Sequence, residues 1–279
     1  MRGYALMPER FINKIDWKRK SARYGLVLLI WILTVSVQAI PSLEYLEYYP
    51  KDYDKNKGVL IIIHSKAYDW DNYLRFGKPI ADKLNVPMVI PIFKKELWDD
   101  YATVINGDQR GDLFLREILK KVKSEHDLNT DRLYFYGHSG GAQFTHRYIL
   151  MYGPQVQRAF ISAPGWYTFP DGERNFPSGL KKKKDFPENV SLEFKNFCKT
   201  PLSVTVGELD TVDPAIPKDG SFGKNRLELS KSWVVALNNT LKKECPNVPE
   251  VPLFITPNQG HSGSSNSAQR ERVIEFLTQ

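Results

Sequence analysis

From residue 43 onward the chain alternates short apolar runs with longer amphipathic stretches, a rhythm that few architectures accept. Val59-Leu60-Ile61-Ile62-Ile63 is unbroken and rich in β-branched residues. Such a run is a strand buried on both faces, since a one-sided strand would alternate apolar with polar. Residues 88–93, 133–136, 158–163, 202–206 and 251–256 read the same way. Helical patterns over 112–123, 142–151, 227–241 and 268–277 separate most of them. Strands alternating with helices of this length build βαβ units, hence an α/β fold: a mostly parallel sheet with helices on both faces. Residues 43–49 and the stretch before Val59 are expected to add an antiparallel edge. One large domain over 43–279 accommodates all of this.

Between residues 164 and 198 the rhythm stops. Gly165-Trp166-Tyr167-Thr168-Phe169-Pro170 and Phe176-Pro177-Ser178-Gly179-Leu180 concentrate aromatics, proline and glycine. Long irregular segments in compact domains are often lids or binding loops. This one is expected to form a small cap insertion over the carboxyl edge of the sheet, where open α/β sheets bind ligands.

Gly137-His138-Ser139-Gly140-Gly141 follows a predicted strand and precedes a predicted helix. This is G-x-S-x-G in strand–turn–helix context, which projects a serine hydroxyl above a helix N-terminus. Bulky neighbours at the glycines would clash with the adjacent strand and helix. The alternative, a phosphate-binding glycine turn, lacks the lysine and hydroxyl that such a loop needs.

A serine nucleophile needs a base. Five histidines are available: His64, His126, His138, His146 and His261. His138 lies inside the turn and is read as packing. His146 lies on the following helix and His126 in a polar stretch. His261, in Asn258-Gln259-Gly260-His261-Ser262, follows the last predicted strand and is expected to reach the serine across the sheet top. The base in turn needs a carboxylate to fix its tautomer. The segment after the 202–206 strand offers Glu208, Asp210 and Asp213; Asp210 is the choice and Asp213 the runner-up. The order Ser139, Asp210, His261 is the one this kind of fold uses. Oxyanion donors are expected from the backbone N–H of Gly140 and of Lys66, with Ala67 as alternative to Lys66.

In these residues the chain resembles the α/β-hydrolase superfamily, and is similar to compact secreted esterases of the polyhydroxybutyrate depolymerase and feruloyl esterase type. The resemblance spans roughly residues 43–279. Such families usually carry His-Gly in the oxyanion loop, where this chain has His64-Ser65. The resemblance implies an exported carboxylic-ester hydrolase that acts on a small-molecule or polymeric ester and uses no metal or organic cofactor. A serine peptidase and a non-catalytic hydrolase-like binding protein are the competing readings. Trp70, Tyr73, Trp166, Tyr167 and Phe169 are candidates to line the substrate pocket.

The net charge of +7 suggests nucleic acid at first sight. Residues 1–39, however, hold seven positive and two negative side chains, leaving only +2 for the body. With no RNP-like or zinc-finger pattern, a nucleic-acid partner is not expected. The basic run Lys181-Lys182-Lys183-Lys184 is read as a solvated loop. Residues 18–23 are strongly basic, residues 25–37 apolar, and Val37-Gln38-Ala39 presents small residues before a cut. That is the layout of a secretory signal, cleaved after Ala39; an uncleaved anchor tethering the protein to a membrane through residues 25–40 is the alternative. The apolar run spans about 20 Å as a helix, short for a full crossing. Export would place Cys198 and Cys245 in an oxidising compartment, where they can pair.

Overall fold

The structure is a computed structural model that describes residues 42–211, 221–263 and 266–279. The segment proposed as signal or anchor, and Asp213, lie outside the described residues.

Strand β2 (Val59–Ile63) shows how the sheet is built. Its five residues are all fully buried. Side chains alternate across a strand, and Val59, Ile61 and Ile63 enter one core cluster while Leu60 and Ile62 enter the other. The continuous apolar run is therefore the signature of two cores sharing one strand.

The sheet adds β1 (Tyr45–Tyr48), β3 (Met88–Pro91), β6 (Leu133–His138), β7 (Val156–Ser162), β8 (Leu202–Gly207) and β9 (Leu253–Thr256), in the spatial order β1-β3-β2-β6-β7-β8-β9. All pairings are parallel except β1 with β3, which is antiparallel. The expected edge is thus supplied by the 43–49 region. The stretch before Val59 forms turns instead. A two-stranded ribbon, β4 (Ile105–Asn106) with β5 (Gln109–Arg110), stands apart.

Helices α1 (Trp70–Leu84), α2 (Gly111–His126), α3 (Gly140–Tyr152), α4 (Arg226–Glu244) and α5 (Ser267–Thr278) cover both faces. Phe114, Ile118, Phe144, Tyr148, Trp233 and Leu237 from α2, α3 and α4 fill the larger core. Tyr73, Phe76 and Ile80 of α1 join Val273 and Leu277 of α5 on the other face. Gly77 lets α1 approach the sheet: a Cβ there would lie 2.3 Å from both Ile62 Cδ1 and Met88 Sδ.

The 164–198 region holds no helix or sheet strand before a short 3-10 turn, Phe194–Cys198. Cys198 and Cys245 form a disulfide with Cα atoms 6.1 Å apart, joining that turn to the residue after α4. Among the described residues no helix is long and apolar enough to cross a membrane.

Candidate active site

The parallel sheet brings three distant loops to one edge. Ile63 at the end of β2 pairs with Gly137, so the loops after β2 and β6 leave side by side. Gly207 at the end of β8 pairs with Thr256 of β9. Beyond that pair, Glu208 N–H donates to Thr256 O (3.0 Å) and Leu209 N–H to Gln259 O (2.8 Å), extending the seam past the strands.

The turn at Ser139 has φ 54° and ψ −114°, a left-handed geometry that non-glycine residues rarely adopt. Close packing enforces it. A Cβ on Gly141 would lie 2.0 Å from Ile63 O, and one on Gly137 2.3 Å from Gly141 O. Ser139 N–H donates to Ser162 O (2.8 Å), and Ser139 O accepts from Gln143 N–H (3.0 Å) as the first turn of α3 closes. The helix therefore begins beneath the serine, with Gly140 N–H among the amides that have no intrahelical acceptor.

Asp210 and His261 meet, with Nδ1 of His261 2.8 Å from Asp210 Oδ2. A carboxylate only accepts, so Nδ1 carries the hydrogen and Nε2 is left with a lone pair. Asp210 is 2% exposed, and its other oxygen accepts from Arg226 Nη1 at 3.2 Å. Arg226, the first residue of α4, is itself nearly buried. Both carboxylate oxygens are thereby fixed by charged or polarised donors. Ser139 and His261 line one cleft of about 340 Å³, with no hydrogen bond between their side chains. Catalytic hydrogen bonds are often long without substrate and tighten in the reacting complex.

Ser65, Lys66 and Ala67 form the wall facing the serine. Their loop is pinned from below. Tyr101 Oη donates to His64 O (2.6 Å), and Phe93 N–H donates to His64 Nε2 (3.1 Å). Nδ1 of His64 is then the N–H that donates to Ser65 O (2.9 Å). Burial pushes the His64 pKa down to about 4, so this imidazole is a neutral strut. Ser65 accepts from Ala67 N–H through its Oγ (3.2 Å). That engages the alternative oxyanion donor, whereas Lys66 packs its Cγ 3.0 Å from where a Gly140 Cβ would stand. Lys66 and Gly140 are therefore neighbours across the serine.

The five aromatics divide. Tyr73 lines the cleft. Trp70 packs edge-on to His64. Trp166, Tyr167 and Phe169 surround a separate void of about 10 Å³. Tyr167 and Phe169 belong to the core, stacked on Trp233 and Phe222 respectively. Thr168 explains their inward turn. Its N–H donates to His146 Nε2 (3.0 Å) and its O accepts from Trp233 Nε1 (2.8 Å). Its hydroxyl accepts from Arg147 Nε (3.1 Å) and donates to Pro177 O (2.6 Å). With four anchors on one residue, the flanking rings are held against the core. Lys181, Lys182, Lys183 and Lys184 are all exposed.

Sequence reasoning passed over Arg226, Tyr101 and the placement of His138. Arg226 opens a helix with no motif around it, and Tyr101 sits in a short 3-10 turn. Neither leaves a signal in the sequence. His138 is part of the motif, but its strand position alone says nothing of the loop that covers it.

The chain has the α/β-hydrolase fold. It is similar to LpqC, a poly(3-hydroxybutyrate) depolymerase from Bordetella parapertussis, with 21% identity, TM-score 0.65, and coverage of 82% of this chain and 87% of that one. It is also similar to poly(aspartic acid) hydrolase-1 from Sphingomonas sp. KT-1, with 19% identity, TM-score 0.68, and coverage of 85% and 94%. FphF, a fluorophosphonate-binding serine hydrolase of Staphylococcus aureus, superposes with TM-score 0.53 at 16% identity, covering 85% and 92%. At these identities the likeness defines the fold. No protein-family model matches the chain, and no curated protein matches its sequence.

Proposed function

We propose that this chain is a serine hydrolase of carboxylic esters that works through an acyl-enzyme. The observation that carries the reading is the Asp210–His261 hydrogen bond, placed at the cleft into which the strained Ser139 turn opens. In this mechanism Ser139 Oγ attacks the ester carbonyl while His261 Nε2 takes its proton. Asp210 holds the imidazole and stabilises the imidazolium. The N–H groups of Gly140 and Lys66 receive the developing oxyanion. His261 returns the proton to the leaving alcohol, and then activates the water that releases the acid. No step calls on a metal or organic cofactor.

The cleft favours a compact acyl group on a hydrophilic substrate. Its wall includes Ser65, Lys66, Asp69, Tyr73, His138 and Ser262; Trp70, Trp166, Tyr167 and Phe169 do not line it, and of these Tyr167 and Phe169 are packed in the core. The structural neighbours named for poly(3-hydroxybutyrate) and poly(aspartic acid) are consistent with a polymer built of short units. Export, by a signal cleaved after Ala39 or with a tether through residues 25–40, is part of the same proposal. The Cys198–Cys245 disulfide supports it, since such bonds persist in oxidising compartments.

A fluorophosphonate probe tests the core of the reading. Covalent labelling that disappears in Ser139→Ala is expected; a folded wild-type protein that takes no label overturns it. Matched panels of acetyl and dodecanoyl esters and of peptidyl amides then test the substrate class. Preference for long acyl chains or for amides would reject a short-acyl esterase.

A further inference from the structure

Two imidazoles meet at the cleft, and the mechanism uses only one. The ring of His138 lies against that of His261, with centroids 4.7 Å apart and planes tilted by 32°. The loop carrying the base is moulded over the same ring: a Cβ on Gly263 would lie 2.3 Å from His138 Cγ and Cδ2. His138 is 4% exposed. Its Nδ1 is 3.1 Å from Ser162 Oγ at the end of the neighbouring strand β7. Ser162 Oγ accepts from Gln269 Nε2 (2.9 Å), and the same amide donates to Tyr136 Oη (2.7 Å). Tyr136, Ser162 and Gln269 are all buried, and they come from β6, β7 and α5. A polar chain across three elements thus ends at one ring, and that ring supports the base.

Resting on the hydrolase reading above, we infer that His138 is a positioning residue. Its ring is a fixed platform that keeps His261 seated on Asp210 and within reach of Ser139. The hydrogen bond to Asp210 restrains the base at one atom only. A ring held at one atom can still rock about that contact, and the adjacent ring of His138 removes this freedom. Misplacing a catalytic group by about 1 Å costs on the order of 100-fold in rate, so the restraint matters. Charge is compatible with the role. Burial, with the nearby His261 and Arg226 adding to it, drives the His138 pKa well below the ordinary histidine value. A neutral ring face attracts the imidazolium that forms in the transition state, where a second cation would repel it.

The test compares His138→Ala, His138→Phe and Gln269→Leu with wild type in the full chain. Phenylalanine keeps a ring face and alanine removes it. Leucine at 269 cuts the supporting chain without entering the cleft. With a short-chain ester, His138→Ala is expected to lose roughly 10- to 100-fold in kcat with little change in KM. His138→Phe should stay within about fivefold of wild type, and Gln269→Leu should fall between them. The low-field proton of His261 Nδ1, followed by NMR, should persist in His138→Phe and broaden or vanish in His138→Ala. If alanine is without effect, or if alanine and phenylalanine are equally impaired, the inference is overturned. Should His138→Ala not fold, a wild-type kcat in Gln269→Leu overturns it. The NMR readout needs no turnover. If the wild type neither labels nor hydrolyses, the hydrolase reading fails, and the fate of the His261 proton still decides whether His138 seats that ring.

Discussion

Single residues at this site divide into those proposed to react and those that make room. Ser139→Ala and His261→Ala are each expected to lower ester hydrolysis by on the order of 10⁴-fold or more, with the fold intact by circular dichroism. Activity near wild type in either variant would remove the residue from the mechanism. Gly141→Ala belongs to the other group. Its Cβ would sit 2.0 Å from the Ile63 carbonyl, and neither backbone can yield. A loss of about 3 kcal/mol or more in denaturant titration is expected; a wild-type midpoint would refute the packing account of the turn. The placement of Ser139, Asp210 and His261 at one sheet edge was legible in sequence because each falls past a strand end. Arg226, which holds the far oxygen of Asp210, was not legible, because a helix-opening arginine looks like any surface cation until the acid is seen behind it.

At the scale of elements, strands were read from apolar runs and agree to within a few residues, but β9, expected to be buried on both faces, is an edge strand with Phe254 and Ile255 exposed, because nothing pairs beyond it among the described residues. Helix α1 was passed over because Gly77 and Pro79 interrupt its pattern. Contact with Ile62 and Met88 demands the glycine, so tertiary packing overrides local propensity there. The 164–198 segment shows the opposite failure. Its aromatic density suggested a pocket wall, yet the hydrogen bonds at Thr168 turn Tyr167 and Phe169 inward. No periodicity encodes such a turn. The disulfide is an element-level tie that closes a loop with a sequence separation of 47. Loop-closure entropy puts its worth at up to about 4 kcal/mol. Paired Cys198→Ala and Cys245→Ala substitutions, or reduction, should lower the thermal midpoint by several degrees; an unchanged melt would show that the tie adds nothing.

For the molecule as a whole, three buried histidines set a limit on acid tolerance. Burial lowers the pKa of His64 to about 4 and of His138 and His146 well below the ordinary 6.5. The unfolded chain takes up these protons near pH 6.5, whereas the folded chain refuses them to much lower pH. Stability is therefore complete above about pH 6.5 and falls as the pH drops. At pH 5 His64 is expected to have cost about 2 kcal/mol relative to pH 7.5, with His138 and His146 adding to the loss in the same direction. Urea titrations at the two pH values check this, and equal midpoints would contradict it. The backbone bonds that stitch Glu208 and Leu209 to the segment carrying His261 have a separate consequence. They join Asp210 and His261 into one body, while Ser139 follows β6, which pairs with β2 and β7. Breathing of the site is then confined to the gap between alcohol and imidazole. In deuterium exchange the amides of Glu208 and Leu209 should be slow, and should stay slow through rounds of turnover.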